Sequence, residues 1–130
     1  NVPLTISFAE ALILASDATT AHEVLLDLLN NVPPTPEQIR LIARAANAEG
    51  DIGNAHFYMA EYYLRIGSGP LAIKQLRMAL ESPNVNSIDR ARIEARLKQV
   101  REMMPSDMLR RQERAEREFP IAETEDQIGG

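Results

Sequence analysis

The apolar positions of this chain recur at helical spacing, and breaker residues cut the pattern into six or seven segments. The first reads as helix over about Leu4–Ala15 and the second over about Thr20–Leu29, with Thr19 or Thr20 as candidate N-cap. Asn30-Asn31-Val32-Pro33-Pro34 interrupts the chain. Thr35-Pro36-Glu37-Gln38 then restarts it, with a capping hydroxyl, a proline at the first helical position and a glutamine placed for a capping box. That third helix runs to Glu49 and stops at Gly50. Asp51 or Gly53 opens a fourth, closed by Gly67. A fifth spans about Pro70–Glu81, with Pro83 beyond it. Ser87 is the expected N-cap of a sixth, about Ile88–Met103, before Pro105. The seventh, Ser106–Glu118, reads as amphipathic only in its first turns. Connections this short predict antiparallel neighbours.

The pattern also repeats. A shift of 34 residues superposes Ala9 on Ala43, Ser16 on Gly50, Ala21 on Ala55, His22 on His56, Leu25 on Met59 and Leu28 on Tyr62. Small residues at matched places let two helices approach closely, and apolar residues at +4 and +7 from the second alanine share one helix face. A helix–turn–helix unit of this length is similar to the tetratricopeptide repeat. Ala60, Tyr63, Gly67, Ala72, Leu76 and Ala79, with Pro83 one residue early, form the best copy of that repeat's consensus. This copy makes the fourth helix the first of a pair, whereas the 34-residue register makes it the second, so the phase stays open. The expected fold is all-α, a right-handed α-solenoid of antiparallel helix pairs with six to seven helices. Residues 1–104 form the repeat domain, 105–118 a helical extension, and 119–130 a flexible acidic tail.

Composition narrows the options. The 130 residues suit one domain, and 45% hydrophobic residues suffice for a core, although aromatics reach only 5%. No run approaches the ~20 apolar residues of a membrane span, and no signal-peptide pattern opens the chain. Because the helical pattern already runs at the first residues, a segment of a larger protein is expected. Cysteine is absent, which removes disulfides and thiol chemistry. The net charge of −5 is unevenly spread: residues 1–35 hold four acids and no Lys or Arg, while 86–117 hold nine basic and six acidic side chains. A mildly basic segment between acidic ends suits steering of a partner better than a nucleic-acid footprint.

Catalytic constellations are missing from the sequence. His22-Glu23 opens the zinc-protease pattern H-E-x-x-H, but Leu26 stands where the second histidine would be. His22 and His56 therefore read as repeat-surface histidines, and no metal site is expected. Gly67-Ser68-Gly69-Pro70 suits an inter-helix turn, not a phosphate loop. Phe57, Tyr58, Tyr62 and Tyr63 read mainly as packing residues, with Phe57 also a candidate partner contact. Arg90, Arg92, Arg96, Lys98 and Arg101 interleave with Asp89, Glu94 and Glu102, as on a solvated, salt-bridged face.

A partner surface follows from the repeat. The first helix of each pair lines the concave side of a solenoid, which selects Ile6, Glu10, Ile13 and Leu14 on the first helix and Glu37, Arg40, Arg44 and Asn47 on the third. Arg40 and Arg44, one turn apart, suit a carboxylate or a backbone carbonyl. Some tetratricopeptide cochaperones clamp a C-terminal carboxylate with a Lys/Asn set; Ile6 and Glu10 stand at the equivalent places, so that clamp is absent.

A closer resemblance lies in Ile39-Arg40-Leu41-Ile42-Ala43-Arg44-Ala45-Ala46, Glu49-Gly50-Asp51 and the block from Ala55 to Gly67, AHFYMAEYYLRIG. Ala72–Leu80 and Ala91–Leu97 extend it over roughly residues 36–104. These segments resemble the C-terminal repeat domain of bacterial periplasmic zinc metalloproteases of the β-barrel-assembly-enhancing group. The resemblance implies a non-catalytic interaction module in the periplasm, serving quality control of outer-membrane proteins. Its implied partners are its own protease domain, the outer-membrane assembly machinery and substrate proteins. Zinc would belong only to the protease domain, since that family's H-E-x-x-H lies upstream of the repeats. The alternative is a free-standing scaffold of an envelope assembly or secretion system, and a homo-oligomer through the end helices is a further expectation.

Overall fold

The computed structural model describes residues 2–119, so most of the acidic tail expected at 119–130 lies outside the described residues. Those residues form seven α-helices: α1 (Val2–Leu14), α2 (Ala18–Asn31), α3 (Pro36–Ala48), α4 (Ile52–Arg65), α5 (Gly69–Glu81), α6 (Ser87–Met103) and α7 (Ser106–Glu118). No strand occurs among them.

Local chemistry sets the boundaries. At α3, Thr35 Oγ1 accepts from Gln38 N at 3.3 Å and Gln38 Oε1 accepts from Thr35 N at 3.2 Å, the reciprocal box expected from the sequence. Two caps differ from expectation. Asp17, not Thr19 or Thr20, caps α2 and accepts from Thr20 N at 3.4 Å. Asn86, not Ser87, caps α6 and accepts from Asp89 N at 2.8 Å. In both cases a side-chain oxygen lies upstream of the hydroxyl and reaches a free amide of the first turn, so the helix starts earlier.

The 34-residue repeat is visible in the backbone. At the end of α1, Asp17 N bonds Leu12 O at 2.8 Å and Ser16 N bonds Ile13 O at 3.1 Å. At the end of α3, Asp51 N bonds Ala46 O at 2.9 Å and Gly50 N bonds Asn47 O at 3.1 Å. Ser16 and Gly50 both take left-handed backbone, at φ 64° and 89°. Each turn is a Schellman motif that hands the chain to an aspartate N-cap; Asp51 accepts from Asn54 N at 3.3 Å. Gly67 (φ 86°) repeats the same motif between α4 and α5, with Ser68 N bonding Tyr63 O at 2.8 Å.

Helices α1 to α5 each pack on the next in the chain, and α1 also meets α3. Two apolar clusters result. Ala9, Ala21, Leu25, Leu41, Ile42 and Ala45 join α1, α2 and α3. Ala60, Ala72, Ile73, Leu76, Ala79, Ile93, Leu97 and Val100 join α4, α5 and α6. The alanines bring helix axes close, while fully buried Leu25, Ile42, Ile73, Leu76 and Ile93 each contribute about 1.5–3 kcal/mol of burial. The alanines of both sequence registers fall on buried positions, because interior helices pack on a preceding and a following neighbour.

Helix α7 packs Leu109 against the α4–α6 cluster and makes polar contacts with α5. Gln112 Nε2 donates to Pro70 O at 2.5 Å, and Arg77 Nε lies 2.8 Å from Glu116 Oε2. Its large apolar residues, Met108 and Leu109, stand in the first turns as expected, and only Ala115 follows them before Phe119 at the C-cap. Among the described residues no helix is long and apolar enough to cross a membrane.

Candidate functional site

Helix α3 turns Leu41, Ile42 and Ala45 into the core, and its remaining face carries Glu37, Arg40 and Arg44 at positions i, i+3 and i+7. Helix α1 brings Ile6 and Glu10 opposite them. These five, with Thr35, Gln38 and Leu41, line a cleft of ≈ 450 Å³. The Arg40 guanidinium also lies 5.8 Å from the centre of the Tyr62 ring, a cation–π distance that gives it one fixed neighbour. Arg40 and Arg44 are exposed, and neither forms an ion pair among the described residues. Glu10 and Glu37 are likewise outside any ion pair there. The cleft thus offers two cations and two anions, all available to a visitor.

The other candidate residues lie elsewhere. Asn47 is half-buried outside this cleft, and its carbonyl receives the Gly50 amide in the turn. Phe57 packs against the α4–α6 cluster, under the Arg92 guanidinium at 4.2 Å from its ring centre and edge-on to Tyr58 at 6.1 Å. Ile13 packs against the first cluster, and Leu14, the last residue of α1, is exposed.

The histidines correct the sequence reading. His22 and His56 are buried, not on the repeat surface, because each faces the helix that follows its own pair. His22 Nδ1 makes a short contact with Glu49 Oε1, and its Nε2 lies 3.3 Å from Tyr58 Oη. His56 Nδ1 lies 2.8 Å from Gln75 Oε1, with Gln75 fully buried. One histidine ties α2 to the end of α3 and to α4; the other ties α4 to α5. Burial raises the Tyr58 phenol above its ordinary value; Arg92 opposes that, and Asp51, Glu49 and Asp89 add to it. Neither His22, Glu49 nor Tyr58 lines any of the three clefts described here. Among the described residues, no three His, Asp or Glu side chains gather as a metal ion would require.

The basic run is partly a fastening. Arg96 reaches from α6 to Glu61 on α4 through two parallel bonds of 2.7 and 3.1 Å, and Glu61 also meets Arg65 at 3.2 Å. The hydrogen bonds to Glu61 hold Arg96 more firmly protonated. Arg92 bonds Asn54 across the same two helices.

Sequence reasoning missed a second cleft, of ≈ 570 Å³ between α5 and α7. Leu71, Met108, Ala115 and Phe119 give it apolar walls, and Lys74 and Arg111 stand at it. The signal lay in α7, where Met108, Ala115 and Phe119 follow at steps of seven and four. A third cleft, of ≈ 620 Å³, opens between α1 and α2, with Phe8 and Val24 beside Glu23 and Asp27.

Comparison with known proteins assigns no relative. No family model, curated protein or solved structure matches this chain.

Proposed function

We propose that the chain is a non-catalytic helical-repeat module of the tetratricopeptide type, a right-handed solenoid of antiparallel helix pairs that binds segments of other proteins. The observation that carries the function is the α1/α3 cleft, where Arg40 and Arg44 face solvent one turn apart with no ion-pair partner among the described residues. The identical turns at Ser16-Asp17 and Gly50-Asp51 support the repeat. With Glu10 and Glu37 in the same cleft, the charge pattern favours a peptide with a carboxylate and neighbouring polar or basic groups. It disfavours a polyphosphate backbone, which those two glutamates would repel.

The finer reading adds a setting. The resemblance of residues 36–104 makes this module the docking arm of a periplasmic zinc metalloprotease that acts in outer-membrane protein quality control. In that reading the module holds substrates and assembly partners, and hydrolysis belongs to a separate domain. Determining the gene sequence upstream of Asn1 tests this: an encoded H-E-x-x-H helix supports the protease setting, and its absence removes it.

The binding function is tested by selecting a random dodecapeptide display library on the chain and measuring the selected peptides against Arg40→Glu/Arg44→Glu. Both side chains are exposed, so helicity and melting should stay unchanged while acid-bearing peptides lose about tenfold in affinity. Unchanged affinity for every selected peptide would remove the α1/α3 cleft from the account.

A further inference from the structure

We propose that the acidic, apolar end of the chain, formed by α1 and α2, binds the basic end, formed by α6 and α7, of a second copy, so that molecules associate head to tail. The contact does not draw on Arg40 or Arg44, and it stands independently of peptide binding in the α1/α3 cleft.

The first observation is an apolar surface that the fold leaves open. On α1, Leu4, Phe8 and Ala11 stand at i, i+4 and i+7, and all three are exposed, Leu4 at 69% and Phe8 at 54%. Glu10 is the one charged residue of that helix. Phe8 and Val24 line a cleft of ≈ 620 Å³ between α1 and α2, to which α3 contributes no residue. Covering this surface removes apolar area from water, which favours association.

The second observation is the charge around it. Glu23 and Asp27, one turn apart on α2, border the same cleft. Both are exposed, and neither forms an ion pair among the described residues. Residues 1–35 contain no Lys or Arg, so this end holds four acids against no base. That balance decides between occupants. Two such ends pressed together would set carboxylates against carboxylates, so pairing through like ends is disfavoured. An anionic lipid surface is opposed by the same charges. The surface fits a protein partner that brings exposed apolar area flanked by cations.

The chain carries that partner at its other end. Arg110, Arg114 and Arg117 stand at i, i+4 and i+7 on α7, all exposed and none in an ion pair among the described residues. They occupy the face of α7 opposite Gln112 and Glu116, which meet α5. Met103, the last residue of α6, adds apolar surface at the junction with α7 and is 63% exposed. Its flexible thioether packs well against an aromatic ring such as that of Phe8. Glu23/Asp27 and Arg110/Arg114 share a spacing of one turn, so one helix laid along the other pairs both sites at once. Because the two ends differ, every assembly keeps one uncovered head and one uncovered tail. Association therefore continues past the dimer.

The test is sedimentation velocity of the full chain, over about a hundredfold range of concentration reaching about 1 mM. At low salt the sedimentation coefficient should rise with concentration beyond the value of a dimer, and about 0.5 M NaCl should weaken the association about tenfold. Glu23→Lys/Asp27→Lys and Arg110→Glu/Arg114→Glu should each weaken it about tenfold or more. An equimolar mixture of these two variants should associate again, because each carries the charge that the other now needs. Phe8→Ser should weaken association with the charges untouched, and Arg40→Glu/Arg44→Glu should leave it unchanged. All four exchanged charges are exposed, and circular dichroism and melting of each variant exclude loss of fold. A monomer at every concentration overturns the proposal. Association that stops at a dimer, or that ignores the Arg110/Arg114 variant, overturns it in favour of pairing through like ends. Loss in both charge variants with no recovery in their mixture also overturns it.

Discussion

The first helix pair, α1–α2, and the second, α3–α4, share one plan and differ in how much of it is covered. Both pairs turn through the same Schellman motif into an aspartate cap, and both bury a histidine at the same place. Yet α3 buries seven residues and α1 only Ala9, leaving Leu4, Phe8 and Leu14 exposed. Apolar content does not explain this, since α1 is the more apolar helix. Packing does: α3 packs on both α2 and α4, while among the described residues α1 packs mainly on α2 and makes a smaller contact with α3. The histidine links differ in the same direction. Gln75, the partner of His56, is fully buried, whereas the Glu49 side chain keeps 17% of its surface exposed.

That comparison can be broken in order of expected effect. Gln75→Ala should cost the most, about 2–4 kcal/mol, because it opens a cavity and removes the acceptor that faces buried His56. Glu49→Ala should cost only about 1 kcal/mol, since water reaches the His22 link. Urea midpoints of the two variants check the ranking, and equal losses would mean the two links are equivalent after all. The turns come next. Gly50→Ala places a Cβ in left-handed backbone with nothing else in its way, for a loss of about 1 kcal/mol. Ser16→Gly relieves the same strain in the first pair and should gain about 0.5–1 kcal/mol. Opposite signs at these matched positions, read by thermal melting, are the signature of a shared turn. Amide hydrogen exchange should then show α1 opening more readily than α3.

The smallest effect is at high pH. Tyr58 titrates above its usual value near 10 in the folded chain, so folding favours the neutral phenol. Its contribution is complete below pH 10 and is lost as pH rises through the higher folded value. Tyr58→Phe should flatten that part of the alkaline stability profile, and an unchanged slope would place the effect elsewhere.

Much of this was legible in the residues. Thr35-Pro36-x-Gln38 specifies a capping box from local chemistry alone, and Gly50 and Gly67 mark the left-handed turns that close α3 and α4. Ile6, Glu10, Glu37, Arg40 and Arg44 share a cleft because helical period and repeat register place them on facing helices. Long-range partners were not legible. His22 meets Glu49 and Tyr58, 27 and 36 residues away, so its burial depends on packing that a single helix does not encode. Phe57, read mainly as a packing residue, does pack against the α4–α6 cluster, but its place under Arg92 was not legible. The α5/α7 cleft depends on where α7 settles, through Leu109 against the α4–α6 cluster and polar contacts to α5.

The central claim, that the chain binds protein segments through clefts between its helices, is tested most directly by amide NMR. The labelled chain would be titrated with library-selected peptides that pair an apolar residue with an acid. The account predicts saturable shifts confined to the lining of the α1/α3 cleft, around Arg40 and Arg44. Shifts scattered over the outer faces of α2, α4 and α6, or none at millimolar peptide, would contradict it.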